Sequence, residues 1–519
     1  MRINNSIRNS ITGSISSLLA MIIGFIAQGA FIKILGAEYM GLNGLFTNIL
    51  TMLSIFELGI GNAIVYNLYR PIKEENTEEI KSLMKFYKNI YNIIAILILF
   101  IGILIIPFLD KLVDEITIDI NITLIYIMFL ISTITSYIVA YKRSLIYANQ
   151  KNYIINIVHM FYIVIVNCLQ LLMLYFWKNY YVYLFIKIIC QLLENIIITL
   201  IANKIYPFLL EKEVKSLPKN IRNDVFQKVR ALFFHKVGSS VIFGTDNIII
   251  SYFFGVTTVG LYTNYSIIIN AVNSLFNQFR DSLTASVGNM LITESKEKSF
   301  DIFRKIRFIN FWLATFSATS LFVITQSFIS IWIGEKYLLS IGVLATLCFN
   351  YFQKMMRSVY STFKDSAGIW QEDKFIPFIE SIVNIVFSII FLKLLGLSGV
   401  FLGTIVSGLV LWCYSYPKFV YKKLFSRSYI DYIKETLGYI ILFTIIGTFT
   451  YLISVTVNIK NNYIELCTNI IISLIVPNLL LYAIFSKTEN FIYFKSVCSN
   501  IVNKLLKKFV KKEKIAIKV

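Results

Sequence analysis

Nine acidic or basic side chains stand inside long apolar runs of this 519-residue chain: Glu57, Lys187, Glu194, Asp246, Arg280, Asp281, Lys354, Arg357 and Glu380. A charge held in hydrocarbon costs on the order of 3 kcal/mol even on the gentlest scale, so such groups face a wet cavity, pair with one another or reach for the interface. Lys354 and Arg357 are three residues apart and share one helical face. Arg280 is a third base within a span. Its neighbour Asp281 points elsewhere on a helix, so the two do not pair with each other. Glu57, Asp246 and Asp281 are candidate ion-coupling groups, since a carboxylate inside a membrane can take up a proton or a sodium ion. Glu194 and Glu380 lie near enough to one interface, and Lys187 to the other, to snorkel out of the apolar layer. Structural pairing across a bundle is the competing reading for the whole set.

Amides and polar aromatics accompany these charges: Asn43, Asn48, Asn62, Tyr66, Asn247, Tyr262, Asn264, Tyr265, Asn270, Asn273 and Asn277. Together they suit a hydrated cavity that accommodates a sugar, with Asn247 and Asn264 as candidate substrate contacts beside Arg280, Lys354 and Arg357. Interhelical hydrogen bonding is the plainer alternative. No catalytic constellation stands out. His159 and His235 are far apart, the six cysteines show no metal-ligand spacing, and no phosphate-binding glycine loop of the ATPase type is present. The chain is read as not an enzyme, with neither cofactor nor metal.

The elements that must position these groups are membrane-spanning helices. Hydrophobic residues make up 57% of the chain and charged residues 15%, with mean hydropathy +0.70. A soluble protein carries about 25% charged residues. Fourteen runs are long enough to span: 12–35, 42–68, 89–108, 121–141, 153–176, 181–202, 232–253, 258–290, 308–333, 339–363, 376–396, 398–417, 436–458 and 464–486. Their abundant isoleucine would favour strands in water, but in hydrocarbon each segment must satisfy its own backbone, which selects helix. The expected fold is therefore an all-α polytopic membrane protein.

The chain holds 49 basic and 29 acidic residues, a net charge of +20. In a soluble protein such an excess would suggest nucleic acid. Here it concentrates in alternate loops, including Arg70 to Lys88, Lys204 to Lys236 and Lys296 to Arg307. The positive-inside rule then places both termini and the even-numbered loops in the cytoplasm, against anionic lipids, and no nucleic-acid partner is expected. The tail from 490 to 515 spaces Phe491, Phe494, Ile501, Leu505 and Phe509 as a basic amphipathic helix for that surface.

One pattern occurs twice. Leu35-Gly36, Gly41-Leu42, Phe46 and Ile49 match Phe254-Gly255, Gly260-Leu261, Tyr265 and Ile268 at a constant offset of 219 residues. This predicts two six-helix lobes in a parallel pseudo-twofold repeat around a central cavity, with two extra C-terminal helices. The expected boundaries are 1–203 and 232–425 for the lobes, 204–231 for a cytoplasmic linker, 426–486 for spans 13 and 14, and 487–519 for the tail.

The stretch 35–48, Leu-Gly-Ala-Glu-Tyr-Met-Gly-Leu-Asn-Gly-Leu-Phe-Thr-Asn, runs into Glu57-Leu-Gly-Ile-Gly-Asn-Ala-Ile and Tyr69-Arg-Pro. With Gly244-Thr-Asp-Asn-Ile, Gly260-Leu-Tyr-Thr-Asn-Tyr, Ser286-Val-Gly-Asn and Phe363-Lys-Asp-Ser-Ala-Gly-Ile-Trp-Gln-Glu-Asp-Lys, it resembles the bacterial polysaccharide-unit flippases. These are the Wzx-type members of the multidrug/oligosaccharidyl-lipid/polysaccharide exporter superfamily. The resemblance extends to about residue 425. It implies two lobes around a cavity in the bacterial cytoplasmic membrane. It implies transfer of an undecaprenyl-diphosphate-linked oligosaccharide from the inner to the outer leaflet, for capsule or O-antigen. It also implies an H+ or Na+ counter-ion and a polysaccharide polymerase as a candidate partner. Related peptidoglycan-precursor flippases use arginines in the first spans, and the apolar run of span 1 has none. That departure counts against the peptidoglycan substrate and shifts the anion contacts that the resemblance implies to Arg280, Lys354 and Arg357. A drug or cation antiporter of the same superfamily and a membrane polymerase are the competing functions. The antiporter should favour an acidic cavity, and the polymerase should carry a large external loop.

Overall fold

Hydrocarbon leaves a backbone no partner but itself, and the chain responds with helix throughout. The computed structural model describes all residues except 1, 58–59, 114–117, 212–213, 370–371, 374, 458–460, 498 and 500–519. At further helical positions, among them His235, Arg280 and Asp281, it describes the backbone alone. Among the described residues there is no strand. The helices are α1 (Arg2–Leu35), α2 (Ala37–Leu53), α3 (Ile60–Lys73), α4 (Thr77–Ile105), the short α5 (Leu109–Leu112), α6 (Ile122–Tyr137), α7 (Ala140–Ala148) and α8 (Asn152–Trp177). They continue as α9 (Tyr180–Ile205), α10 (Lys219–Thr293), α11 (Lys296–Trp332), α12 (Ile341–Ser366), α13 (Ile376–Leu395), α14 (Leu397–Val410), α15 (Tyr429–Thr456) and α16 (Asn462–Phe485).

Asn and Ser start many of these helices because a short polar side chain can take the first free N–H groups. Asn76, Asn121, Asn179 and Asn461 cap α4, α6, α9 and α16, and Ser295, Ser340 and Ser428 cap α11, α12 and α15. Each cap contributes about 1 kcal/mol. Burial is inverted relative to a water-soluble protein: Ile96, Phe100, Tyr175 and Leu394 are exposed, while Asn264, Thr315, Asn384 and Thr450 are fully buried. That inversion is what a lipid solvent selects.

Ten helical stretches among the described residues are long and apolar enough to cross a membrane. They coincide with ten of the fourteen expected spans. The other four fall on α2–α3, on the two limbs of α10 and on α12. The span expected as one run over 42–68 is broken: α2 ends at Leu53 and Ser54–Glu57 tightens into a 3-10 turn. There Ser54 donates its hydroxyl to the Thr51 carbonyl. α10 is bent at Gly255 (φ 78°, ψ 163°), and Gly36 before α2 has nearly the same backbone (φ 100°, ψ 179°). A side chain rarely tolerates such angles, so the constant offset in the sequence marks the same glycine turn used twice.

By contacts the chain forms two compact units, Met1–Asn264 with Lys374–Gly403, and Tyr265–Asp373 with Thr404–Val519. In the first, α1 lies along α8, α8 and α6 along α9, and α3 along α7. In the second, α11 is central and packs on α12, α15 and α16. Trp312 donates to Asn478, and Ser327 bonds both Glu465 and Asn469, so α16 is fastened along α11 by polar contacts. The start of the tail is helical over 489–497, with Phe491 and Phe494 against Trp312. The remainder of the expected amphipathic helix lies outside the described residues.

Candidate functional site

The duplicated glycine turn brings the two halves of the repeat into backbone contact inside the first unit. A Cβ at Gly41 would overlap the Val256 carbonyl, and one at Gly260 would overlap the Ala37 carbonyl. Gly44 sits against the Thr263 hydroxyl, with the Asn247 amide close by. Small residues at these points let α2 and the second limb of α10 approach backbone to backbone. Asn264 is fully buried and donates its amide to the Gly260 carbonyl on its own helix, at 3.0 Å. Asn247 is buried at the same junction, and the partly buried Asp246 precedes it. Thr245, one residue earlier, meets Asn384 of α13 at 3.3 Å.

Glu57 occupies the break between α2 and α3. Its carboxylate accepts from the Tyr91 hydroxyl at 3.5 Å, and Tyr137 reaches both it and Ser54. The two tyrosine rings stack 6.4 Å apart. A carboxylate held by two phenols in a helix break is chemically able to carry a proton or a small cation.

Next to Ser54 opens a cavity of about 160 Å³ between α2, α6 and α9. Thr47, Thr51, Ser54, Ser132 and Thr133 supply hydroxyls to it, and Lys187 supplies an ammonium. Below Lys187, one helical face of α9 stays polar. Gln191 bonds Ser132 twice, as acceptor at 2.6 Å and donor at 3.0 Å, and Asn195 donates to the Thr135 carbonyl at 2.8 Å. Glu194, expected to snorkel, is instead buried and accepts from Arg143 and His159, both at 3.2 Å. An arginine from α7 supplies inside the bundle what water would have supplied outside it. Glu380 is likewise buried on α13 rather than reaching the interface.

In the second unit Lys354 is exposed and Arg357 partly buried on α12, on the shared face that their spacing predicts. Arg280 and Asp281 lie on α10 with side chains outside the described residues. The chain thus divides the predicted site residues: Glu57, Asp246, Asn247 and Asn264 belong to the first unit, and Arg280, Asp281, Lys354 and Arg357 to the second.

Arg307, counted from sequence among the loop charges, is 2% exposed. It pairs with Glu435 of α15 at 2.6 Å and bonds the Tyr421 hydroxyl, while Tyr421 donates to the same carboxylate at 2.5 Å. The rings of Phe303, Tyr421 and Tyr439 surround its guanidinium within 6 Å. Lys364 forms a second buried pair with Asp373, which also accepts from Ser415. The dense tyrosine and phenylalanine content of 300–303, 360–363 and 416–439 was the available sequence signal for this cluster.

A family model described as "Polysaccharide biosynthesis protein" matches residues 6–282, more than half of the chain. No curated protein matches. Among solved structures, an inward-closed form of the Lipid II flippase MurJ superposes with TM-score 0.61 at 16% identity, covering 91% of this chain and 98% of that one. An inward-facing multidrug-resistance MATE transporter of the MOP superfamily gives TM-score 0.59 at 15% identity, over 78% of this chain and 95% of that one. A mutant Vibrio cholerae MATE transporter, VcmN, gives 0.54 at 14% identity, over 79% and 96%. At these identities the likeness is one of fold.

Proposed function

The chain belongs to the polysaccharide biosynthesis protein family, and from that premise we propose that it flips an undecaprenyl-diphosphate-linked oligosaccharide from the inner to the outer leaflet of a bacterial cytoplasmic membrane. The observation that carries the reading is the family match over residues 6–282, which includes both copies of the glycine turn. The MurJ-like fold supports it, because MurJ is itself a lipid flippase. The lobes proposed are those of the repeat, 1–203 and 232–425, moving by alternating access. In this reading the close approaches at Gly41–Val256 and Gly260–Ala37 serve as the hinge line of that motion.

Three parts of the substrate make three demands. The lipid tail stays in the bilayer. The glycan needs a hydrated cavity with hydroxyl and amide partners. The diphosphate needs cations, for which Arg357, Lys354 and Arg280 are the assigned contacts, with Arg offering bidentate geometry. With the cytoplasm negative, outward movement of an anion is downhill by about 2.3 kcal/mol per charge per 100 mV. Glu57, held by Tyr91 and Tyr137, is the leading group for coupling to inward H+ or Na+, with Asp246 and Asp281 as the other carboxylates.

The test is complementation of a bacterial strain lacking its polysaccharide flippase. The chain should restore surface polymer and clear accumulated lipid-linked units, and Arg357→Ala should block both while still inserting. Normal export by Arg357→Ala removes the anion assignment. Failure to complement, with efflux of cationic dyes, replaces the flippase reading by the antiporter one.

A further inference from the structure

Among the described residues, several buried or half-buried cations are answered by acids. Arg143 meets Glu194, Arg307 meets Glu435 and Lys364 meets Asp373. Lys187 forms no ion pair and no hydrogen bond among the described residues; its ammonium lies over the Phe129 ring, 5.3 Å from the centroid. It sits eight residues into α9, well inside an apolar span, and lines the hydroxyl-rich cavity beside α2 and α6. An ammonium kept in the membrane without an acid is expensive, and a fold tolerates it where a ligand completes the pair.

The cavity's hydrogen-bonding inventory narrows that ligand. Thr51, Ser54 and Thr133 donate their protons to carbonyls of their own helices, at Thr47, Thr51 and Phe129. Ser132 donates to Gln191. Their oxygens keep lone pairs for the space, the Ser54 hydroxyl being shared with that of Tyr137. Thr47 adds a hydroxyl able to donate or accept, and the other donor is Lys187, whose ammonium has three protons. Phe129 adds one aromatic wall. A free phosphate, which mainly accepts, would match the lysine and clash with the ring of acceptors. A neutral sugar would match the hydroxyls and leave the ammonium unanswered. A sugar bearing a carboxylate satisfies both: the acid on Lys187, the ring hydroxyls on the Thr and Ser oxygens, and an apolar ring face on Phe129. At about 160 Å³ the cavity is well below the roughly 300 Å³ at which drug-sized pockets begin, the scale of one monosaccharide.

We propose that the Lys187 cavity is a binding site for a single acidic sugar residue of the uronic acid type. It lies apart from the anion contacts assigned on α12. As a site on a transported glycan it rests on the flippase reading, and the experiment separates the two.

The full chain in lipid nanodiscs is probed by saturation-transfer NMR with glucuronate and glucose, and by phosphorus-31 line broadening with inorganic phosphate. Glucuronate should bind, and both other probes should bind far more weakly. Lys187→Gln should weaken glucuronate by about tenfold or more, equivalent to about 1.4 kcal/mol, while Lys187→Arg retains most of it. Thr133→Val, which keeps the charge and removes an acceptor, should weaken glucuronate and leave phosphate binding equal or slightly stronger. Unaltered melting temperatures exclude misfolding as the cause. Four results overturn the assignment: no glucuronate binding, equal binding of glucose, phosphate binding in preference to glucuronate, or equal glucuronate binding by Lys187→Gln. Complementation is scored on the same variants. Glucuronate binding without polymer export sinks the flippase reading and leaves the site; polymer export without glucuronate binding does the reverse.

Discussion

Lys187 and Arg307 are both cations inside the bundle, and the protein treats them in opposite ways. Arg307 is enclosed by the second unit. A carboxylate, a phenol and three aromatic rings meet it, so its charge is spent on joining α11 to α15 and to the Tyr421 segment. Lys187 belongs to the first unit and lines a cavity with hydroxyls around it, and no acid meets it among the described residues. The difference teaches that charge in a membrane is not itself a sign of function. What marks a site is a charge that the fold leaves unanswered.

The largest effect is expected at Arg307. Arg307→Met leaves the partly exposed Glu435 without its cation and should cost about 3 kcal/mol, the low end for a broken buried pair, read as a large drop in the melting temperature of the detergent-solubilised chain. Adding Glu435→Gln should recover part of the loss. A single variant that melts like the parent would show that Arg307 is no more structural than Lys187.

A smaller effect is expected where backbone meets backbone. Gly260→Ala forces a methyl group onto the Ala37 carbonyl and should cost about 1–3 kcal/mol in the same melt. Gly24→Ala, on an open face of α1, should be neutral or mildly stabilising, which makes it the control. Equal behaviour of the two would remove the tight junction between the repeats.

Lys187→Met sharpens the contrast from the other side. With no acid left behind, it should change stability by less than about 1 kcal/mol, and in the stabilising direction if at all. A loss as large as that of Arg307→Met would reveal a structural partner and end the comparison. Smallest of all, Ser132→Ala removes the hydroxyl that bonds Gln191 and should cost about 0.6 kcal/mol, the usual worth of a hydrogen bond between membrane helices. A cost several times larger would mean that the polar face of α9 is a cooperative network.

The glycine turn was fully legible before any coordinates. Gly36 and Gly255, spaced by the same 219 residues as their flanking apolar positions, adopt matching positive φ values. Glu194 was legible only as a charge in a span. Its partner Arg143 comes from another helix, 51 positions away in the chain, and nothing in the intervening residues encodes that meeting. Arg307 was hidden for a different reason. A basic residue beside a loop reads as an inside-facing charge, and its burial depends on Tyr421 and Glu435, more than a hundred residues later.

The sequence by itself determined the solvent, the helices and the repeat. Each is a local consequence of apolar run length, capping residues and glycine placement, and the bilayer enforces it on every segment separately. Tertiary structure alone decided which charges are answered. Pairing is set by which faces of distant helices meet, and a rotation of one helix by a single residue would exchange a paired cation for an unpaired one. That is why Lys187, which looked from sequence like a side chain able to escape to the interface, emerges as the cation that waits for a ligand.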